Sequence, residues 1–409
     1  MSVFGPGRRR GRLGAGRLGA GRLGAGLLAG GLGLVLSACS LHPFVPATTL
    51  QSGAGSGSTT AAVKPALGVD LLASRKLSVS TIEHQDETIL RDVKDQLHAS
   101  RVGLVWYLYS PGDRSDVVEQ GPRSATPQSL LLLGREAESL GLSVSLRPII
   151  EVEPCTTKGS VQTCGWEGRL DPPNPSTFFS NLLETEQPYL AVAGELSAVS
   201  FVVETEMNAL GSRTADWTSF FEKASLLAPG VALEGTASVS TYFTWHGTPA
   251  VLVPNASYAN FGLDFYPISG PVTTRQFSYV PALTTRRLPP DIATGQLASL
   301  MEGVLRLAPG PRLRRTTIDE TGIGAARAAL DNPADWVDQE AEKTDPQVQA
   351  TWISAVCEAV LAEHLRGVYF FNIDLDNNPP YWPHSNVTFM GRPRSEAAFR
   401  GCAALFAKA

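Results

Sequence analysis

Two segments of this 409-residue chain place carboxylates where they could act together. Val202-Val-Glu-Thr-Glu-Met-Asn208 and Thr317-Ile-Asp-Glu-Thr-Gly322 each continue an apolar run into acids. Two facing carboxyl groups suit cleavage of a glycosidic bond: one protonates the leaving oxygen, the other attacks the anomeric carbon or activates water. Glu206 and Glu320 are the candidates, with Glu204 and Asn208 flanking the first. Because side chains on a strand alternate, Glu204 is expected to share the inward face with Glu206, where a second carboxylate would raise its proton affinity. Leu263-Asp-Phe-Tyr-Pro267 would bring the Tyr266 phenol close to the second carboxylate and hold a nucleophile in position. Trp106, Trp166, Tyr242, Trp245 and Trp382 lie on or beside expected loops. Their flat faces can stack on the C–H faces of sugars, and most of them are expected to line one cleft.

Each assignment has a structural counterpart. A buried strand-end carboxylate with no partner is costly, which argues against filler, but an ion pair with Arg147, Arg314 or Arg315 would also explain such a group. Asn372, Asp374 and Asp376 could bind sugar hydroxyls, although capping of a loop is the favoured reading. His84, His246 and His384 are far apart and show no zinc-ligand spacing. Glu204 and Asp319 could attract a cation, yet paired acids more often tune each other's protonation; no metal and no cofactor is expected. A Gly-x-Ser-x-Gly nucleophile elbow does not occur. Asn255-Ala-Ser and Asn386-Val-Thr are read as accidental glycosylation sequons.

The elements that must position these residues alternate regularly. Strands are expected over 76–82, 102–108, 142–150, 198–206, 231–239, 261–266, 313–320 and 367–373. Several are apolar throughout, as parallel strands covered on both faces should be. Helices are expected over 87–98, 127–140, 176–193, 216–227, 291–307 and 346–365. The last of these has Asp345 as N-cap, Pro346 in its first turn, and Val348, Trp352, Val356 and Val360 along one face. Eight strands in strict alternation predict a single (β/α)8 TIM barrel of class α/β over 66–409, whose chemistry sits at the C-terminal strand ends. The segment 241–260, without a helical pattern, is the weak point. A doubly wound sheet is the alternative, but it would want a glycine-rich phosphate loop that Ser80-Thr-Ile-Glu-His-Gln-Asp-Glu87 does not offer.

Charge and cysteine arithmetic divide the chain. Six of its 34 basic residues (Arg8, Arg9, Arg10, Arg12, Arg17 and Arg22) precede residue 39 with no acid among them. The remainder carries 28 basic against 39 acidic side chains, net −11, which speaks against a nucleic-acid partner. The arginines lead into the glycine-rich apolar run 26–38, too short to span a bilayer stably, which reads as an export signal. Leu36-Ser-Ala-Cys39 resembles the lipobox of bacterial lipoproteins, so residues 1–38 are expected to be removed and Cys39 to carry lipid, anchoring the protein to the membrane outside the cytoplasm. Residues 39–65, rich in Ser, Thr, Gly and Ala, would be the tether. Of five cysteines, four then remain, and three pairings are open to them. Cys155 with Cys164, bracketing a short loop, and Cys357 with Cys402, both on helices, is the economical choice; four buried thiols is the alternative. A monomer is expected.

Beyond these readings, the sequence resembles clan A glycoside hydrolases, and family 113, the β-mannanase family, in particular. The pieces that carry the resemblance run in order: Leu142-Ser-Val-Ser-Leu-Arg-Pro148; Gly165-Trp-Glu-Gly-Arg-Leu-Asp-Pro172 with Phe178, Phe179 and Tyr189; Thr205-Glu-Met207; Gly262-Leu-Asp-Phe-Tyr-Pro267; and Asp319-Glu-Thr-Gly322. They span about residues 76–375. The resemblance implies a (β/α)8 barrel, a carbohydrate substrate, Glu206 as general acid/base, Glu320 as nucleophile, Tyr266 as the phenol beside Glu320, and Arg147 supporting the sugar-facing rim. The chain departs from the pattern in having Glu204 where the family usually has glycine, and in lacking a tryptophan on the eighth strand, Val368-Tyr-Phe-Phe-Asn-Ile-Asp374.

Overall fold

Runs such as Val102-Gly-Leu-Val-Trp-Tyr-Leu108 have too little polar alternation to face water on either side. They form parallel strands buried between the barrel interior and an outer layer of helices. The computed structural model describes residues 64–73, 78–158, 161–238, 260–266, 316–326, 329, 343–375 and 386–409. Its strands are β1 (Ala66–Ala73), β2 (Arg101–Ser110), β3 (Ser143–Lys158), β4 (Val161–Gly165), β5 (Ser200–Glu204), β6 (Ala232–Ser238), β7 (Asn260–Asp264), β8 (Thr316–Thr321) and β9 (Gly367–Asp374). All but β4 pair in parallel, in the order β1-β2-β3-β5-β6-β7-β8-β9, and β9 returns to β1 through pairs such as Leu67 with Val368. The result is the closed (β/α)8 barrel that the alternation predicts. β4 is an appendage, folded back antiparallel on the long overhang of β3.

One strand differs from expectation. The first barrel strand is Ala66–Ala73, not 76–82. The β-branched residues Val79, Thr81 and Ile82 favour a strand, but Ser78 starts a helix: its Oγ accepts from the Thr81 N–H at 3.2 Å, the N-cap arrangement. The helical turn continues into α1 (Glu87–Leu97), which buries Ile89, Leu90, Val93 and Leu97 along one stripe.

The other described helices are α2 (Pro127–Ser139), α3 (Pro175–Glu195), α4 (Thr214–Leu227), α5 (Pro346–Ala362) and α6 (Pro393–Lys408). Thr126 caps α2 through Ser129 N–H, and Asp345 caps α5 through Gln347 N–H. The segments 241–259 and 291–307 and residues 1–63, with Cys39, lie outside the described residues. Among the described residues no helix is long and apolar enough to cross a membrane.

Two disulfides form, Cys155–Cys164 and Cys357–Cys402. The second joins α5 to α6, and α6 in turn holds the start of the barrel, with Arg400 Nη1 donating to the Gln96 carbonyl and Lys64 Nζ to that of Ala407. This bond closes a loop with a sequence separation of 45 residues. Replacing Cys357 and Cys402 by serine should therefore destabilise the fold by about 3–4 kcal/mol, read as a lower urea midpoint with a slope no smaller than that of the wild type, since the released unfolded chain exposes more surface. An unaltered midpoint would show that the helix pair is held by packing alone.

Candidate active site

The mouth of the barrel is shaped by an irregularity in β8. Leu263 pairs with Ile318 and Asp264 with Glu320, so Asp319 is an extra residue in the ladder. A bulge of this kind turns two successive side chains to the same side. Asp319 lies in the interior, and Glu320, with 13% of its side chain exposed, stands at the strand end. The Tyr266 hydroxyl donates to Glu320 Oε1 at 2.7 Å. Arg147 Nη2 reaches Glu320 Oε2 at 2.8 Å and Asp264 Oδ2 at 2.8 Å, while Nη1 donates to the Asp319 carbonyl at 2.8 Å. Both oxygens of Glu320 are thus held by fixed donors, which locks the orientation of the carboxylate.

Glu206 is presented differently. β5 ends at Glu204, and Glu206 takes a left-handed backbone with φ of 52°. For a residue with a side chain this costs on the order of 1–3 kcal/mol, and such strain concentrates at functional sites. Thr205 anchors the turn by donating to the Pro148 carbonyl at 2.8 Å. The turn aims the Glu206 carboxylate at Trp166, whose indole Nε1 donates to Oε2 at 2.5 Å. Trp166 follows directly on β4, and its ring lies against Gly168 so closely that a Cβ there would fall 2.3 Å from the indole. The main-chain N–H of Glu206 donates to Thr236 Oγ1 at 3.3 Å, and Thr236 donates to Asp264 Oδ2 at 3.1 Å. An unbroken chain of contacts therefore runs from Glu320 through Arg147, Asp264 and Thr236 to Glu206.

Beneath the mouth the interior is acidic. Asp70 on β1, Asp264 on β7 and Asp319 on β8 are buried, as is Glu234 on β6. Glycines on neighbouring strands make room for them: a Cβ at Gly103 would sit 2.1 Å from Asp70 Oδ1, and one at Gly262 would sit 2.0 Å from Asp319 Oδ2. Burial raises Asp70, Asp264 and Asp319 well above the usual carboxylate range; Arg147 opposes the rise for each, and Glu234 adds to it for Asp319. Burial alone would lower the Arg147 guanidinium, but Asp264, Glu320, Asp70 and Asp319 together raise it well above its ordinary value. Among the described residues neither carboxylate oxygen of Asp319 has a hydrogen-bond partner, as expected of one cation shared among too many acids.

The structure brings Glu206, Glu320, Tyr266, Trp166 and Arg147 into one network, with two changes of role. Arg147 does not face the rim. It points inward from mid-β3, opposite Val105, and is 2% exposed, so it serves the carboxylates from below. Trp106 does not reach the cleft. Gly103 faces the interior, so Trp106, three residues on, faces the helices, where it stacks on Tyr189 of α3 at 4.6 Å and meets Phe201 edge-on. Asn208 opens a short turn after Glu206 and donates its main-chain N–H to the Glu206 carbonyl at 2.6 Å. Asn372 is half-buried near the end of β9.

β5 ends at Glu204 and its ladder slips at Val203, so regular strand alternation does not extend to Glu206; the Glu204 side chain itself lies outside the described residues. Tyr242, Trp245, Trp382, Asp376, Arg314, Arg315 and Asn255 also lie outside it. Asn386 is buried and accepts from Thr344 Oγ1 at 2.8 Å, which withholds it from glycosylation. Among the described residues one trio, Glu151, Cys155 and Cys164, brings metal-type ligand atoms together, but its sulfurs are bonded to each other and supply no thiolate. Asp264 and Thr236 were not singled out by sequence; the signal for Asp264 is its place two residues before Tyr266 on an inward face.

No protein-family model and no curated protein matches the chain. Solved structures do. A GH113 beta-1,4-mannanase complex superposes with a TM-score of 0.63 at 14% identity, over 84% of this chain and 98% of that one. The GH113 beta-mannanase AaManA from Alicyclobacillus acidocaldarius, in complex with ManMIm, gives 0.60 at 14% identity, over 83% and 96%. GH5_18 from Streptomyces cattleya, in complex with GlcNAc, gives 0.52 at 14% identity, over 85% and 81%. At these identities the likeness shows a shared barrel fold.

The acidic interior has a measurable consequence. Carboxyls whose folded pKa lies above the unfolded value of about 4 bind more protons in the native state, so their contribution falls as pH rises from there through the folded value. Asp319→Asn should remove one such proton, making stability less steep in pH by up to about 1.4 kcal/mol per unit in that window, and should raise the melting temperature at pH 8. Equal slopes for both proteins would show that Asp319 is ionised in the fold.

Proposed function

We propose that this protein is a retaining glycoside hydrolase acting on a β-linked poly- or oligosaccharide, with mannan-type chains first among the candidates. The observation that carries the reading is the clamped carboxylate of Glu320, held on one oxygen by Tyr266 and on the other by Arg147 at the C-terminal end of the seventh barrel strand. The end of that strand, β8, and of the fourth, β5, form part of the face on which barrels of this kind build active sites. The likeness to GH113 beta-1,4-mannanases supports the substrate class.

In this reading Glu206 gives its proton to the glycosidic oxygen as Glu320 attacks the anomeric carbon. The leaving sugar departs as an alcohol and a glycosyl-enzyme ester remains. Glu206 then takes a proton from water, whose oxygen attacks the same carbon and releases Glu320. Retention requires the two carboxyl groups to lie about 5 Å apart. Trp166 orients the acid/base, Tyr266 and Arg147 the nucleophile, and neither task needs a metal or cofactor.

One observation favours a second reading. The ion pair of Glu320 with Arg147 could lock the carboxylate structurally, leaving a carbohydrate-binding barrel without turnover. Reducing-end release from β-mannan, β-glucan and chitin-type oligosaccharides, compared between wild type and Glu320→Gln, separates the two. Hydrolysis of one substrate, reduced at least ~10³-fold in the variant, is the expected result. Equal signal from both proteins refutes catalysis by Glu320; saccharide binding without release by wild type supports the second reading.

The N-terminal features support export and lipid anchoring at Cys39, with the barrel held outside the cytoplasm by a flexible tether. Labelled fatty acid fed to an expressing bacterium should enter the wild-type protein and not Cys39→Ser. Labelling of both would place the lipid elsewhere.

A further inference from the structure

The hairpin that carries Trp166 is not paired along its whole length. β3 and β4 match at Lys158 with Val161, Thr157 with Gln162 and Thr156 with Thr163, and again at Val152 with Gly165. Between these stretches three residues of β3, Glu153, Pro154 and Cys155, face the single residue Cys164 of β4. Pro154 has no main-chain N–H, so the ladder also lacks a donor there. The Cys155–Cys164 disulfide bridges this break. Cys164 lies two residues before Trp166, whose indole donates to Glu206 Oε2. Trp166 is held from both sides. On its C-terminal side the Arg169 N–H donates to the Trp166 carbonyl at 3.1 Å, and Gly168 leaves room for the ring. On its N-terminal side it is tied to β3 by the Val152–Gly165 pair and, one residue further, by the disulfide. β3 is regular up to this point. Its register with β2 runs without a slip from Ser143 to Val152, so Glu151 faces inward as Arg147 does. Glu151 Oε2 stands 3.9 Å from Cys155 Sγ, which puts the sulfur bridge at the rim of the barrel mouth.

We infer that Cys155 and Cys164 are positioning residues for the acid/base step: their disulfide sets the direction from which the Trp166 indole meets Glu206. The inference rests on the glycoside hydrolase reading and extends it to the groups that place the acid. General acid catalysis depends on the proton being aimed at the leaving oxygen, and a small displacement of the group that orients the carboxyl is enough to weaken it. With the bridge open, the strand end before Trp166 keeps one ladder pair, next to a break, and the indole is no longer fixed on Oε2. The opening is a two-electron reduction. A dithiol gives two electrons and two protons, the S–S bond becomes two thiols, and the dithiol closes to a cyclic disulfide. The hairpin bond is the one such a reagent meets first, because Cys155 and Cys164 are half-buried whereas Cys357 and Cys402 are buried. The two disulfides thus have separate tasks, one at the site and one in the helical layer.

The test is the indole N–H spectrum of the intact chain labelled with ¹⁵N-tryptophan, in which Trp166→Phe identifies the Trp166 signal and Glu206→Ala gives its position without the Glu206 partner. In Cys155→Ala combined with Cys164→Ala, the Trp166 signal should move upfield toward that position. It should do the same in wild type treated with dithiothreitol until mass spectrometry shows the hairpin bond open and Cys357–Cys402 intact, and should return on re-oxidation. The signals of Trp106, Trp217 and Trp352, buried on β2, α4 and α5, should stay in place. A Trp166 signal unmoved in the double variant overturns the proposal. So does an equal displacement of all four signals, which would mean that the bond supports the fold as a whole. This readout needs no turnover, so it stands apart from failure of the hydrolase reading. If a hydrolysed substrate is in hand, kcat/KM of the double variant should fall about tenfold or more for a sugar leaving group. It should change little for the 2,4-dinitrophenyl glycoside of the same sugar, whose phenolate departs without a proton. An equal fall for both substrates would overturn the assignment to the acid/base step.

Discussion

One guanidinium organises the barrel. Arg147 projects from the middle of β3 into a space where most barrels stack branched apolar side chains, and acids from three other strands converge on it. A buried charge without partners is prohibitive, and the opposite charges that make Arg147 tolerable are themselves tolerable only because of it. Losing the arginine would strand Asp264 and Glu320 together, at a cost on the order of 3–5 kcal/mol. The two hydrogen-bonded carboxylates are therefore held in a fixed relation: the contact that keeps the interior neutral enough to fold is the one that orients Glu320 at the mouth.

The two candidate catalytic carboxylates are held by unlike means. Glu320 sits on a barrel strand and is gripped from inside, by groups on β3 and just beyond β7. Glu206 sits past the end of its strand on a left-handed residue, and its side-chain donor comes from a hairpin that stands on the barrel and is closed by Cys155–Cys164. The first arrangement has little freedom. The second depends on an appendage. A carboxyl required to change protonation during a reaction is reasonably placed on the part of the site where environment can be adjusted without rebuilding the sheet.

Much of the barrel was legible because parallel strands buried on both faces leave continuous apolar runs, and helices leave caps such as Asp345 with Pro346. The first strand was misplaced for a physical reason. Ala66–Ala73 carries Asp70, a buried acid whose accommodation involves the distant Arg147, whereas 76–82 has local β propensity that a single capping serine overrides. Glu206, Glu320 and Tyr266 could be read from strand-end patterns and family resemblance. Thr236 and the inward turn of Asp319 could not, since they depend on a cross-strand contact and a register slip. Trp106 shows the converse: an aromatic residue near a strand end is as suited to the layer beneath the helices as to a cleft, and one glycine facing inward decides the parity.

The pairing of β1 with β9 has a consequence for biogenesis. The first strand meets its second neighbour only in the last one, Ala66 pairing with Gly367, 301 positions further along the chain. No shorter stretch of chain completes the ring, and until β9 arrives both edges stay open to foreign strands. A chain threaded through an export channel from its N-terminus would thus have to be escorted or kept extended until almost all of it had emerged, and the bond between α5 and α6 could form only as the final seam was drawn shut.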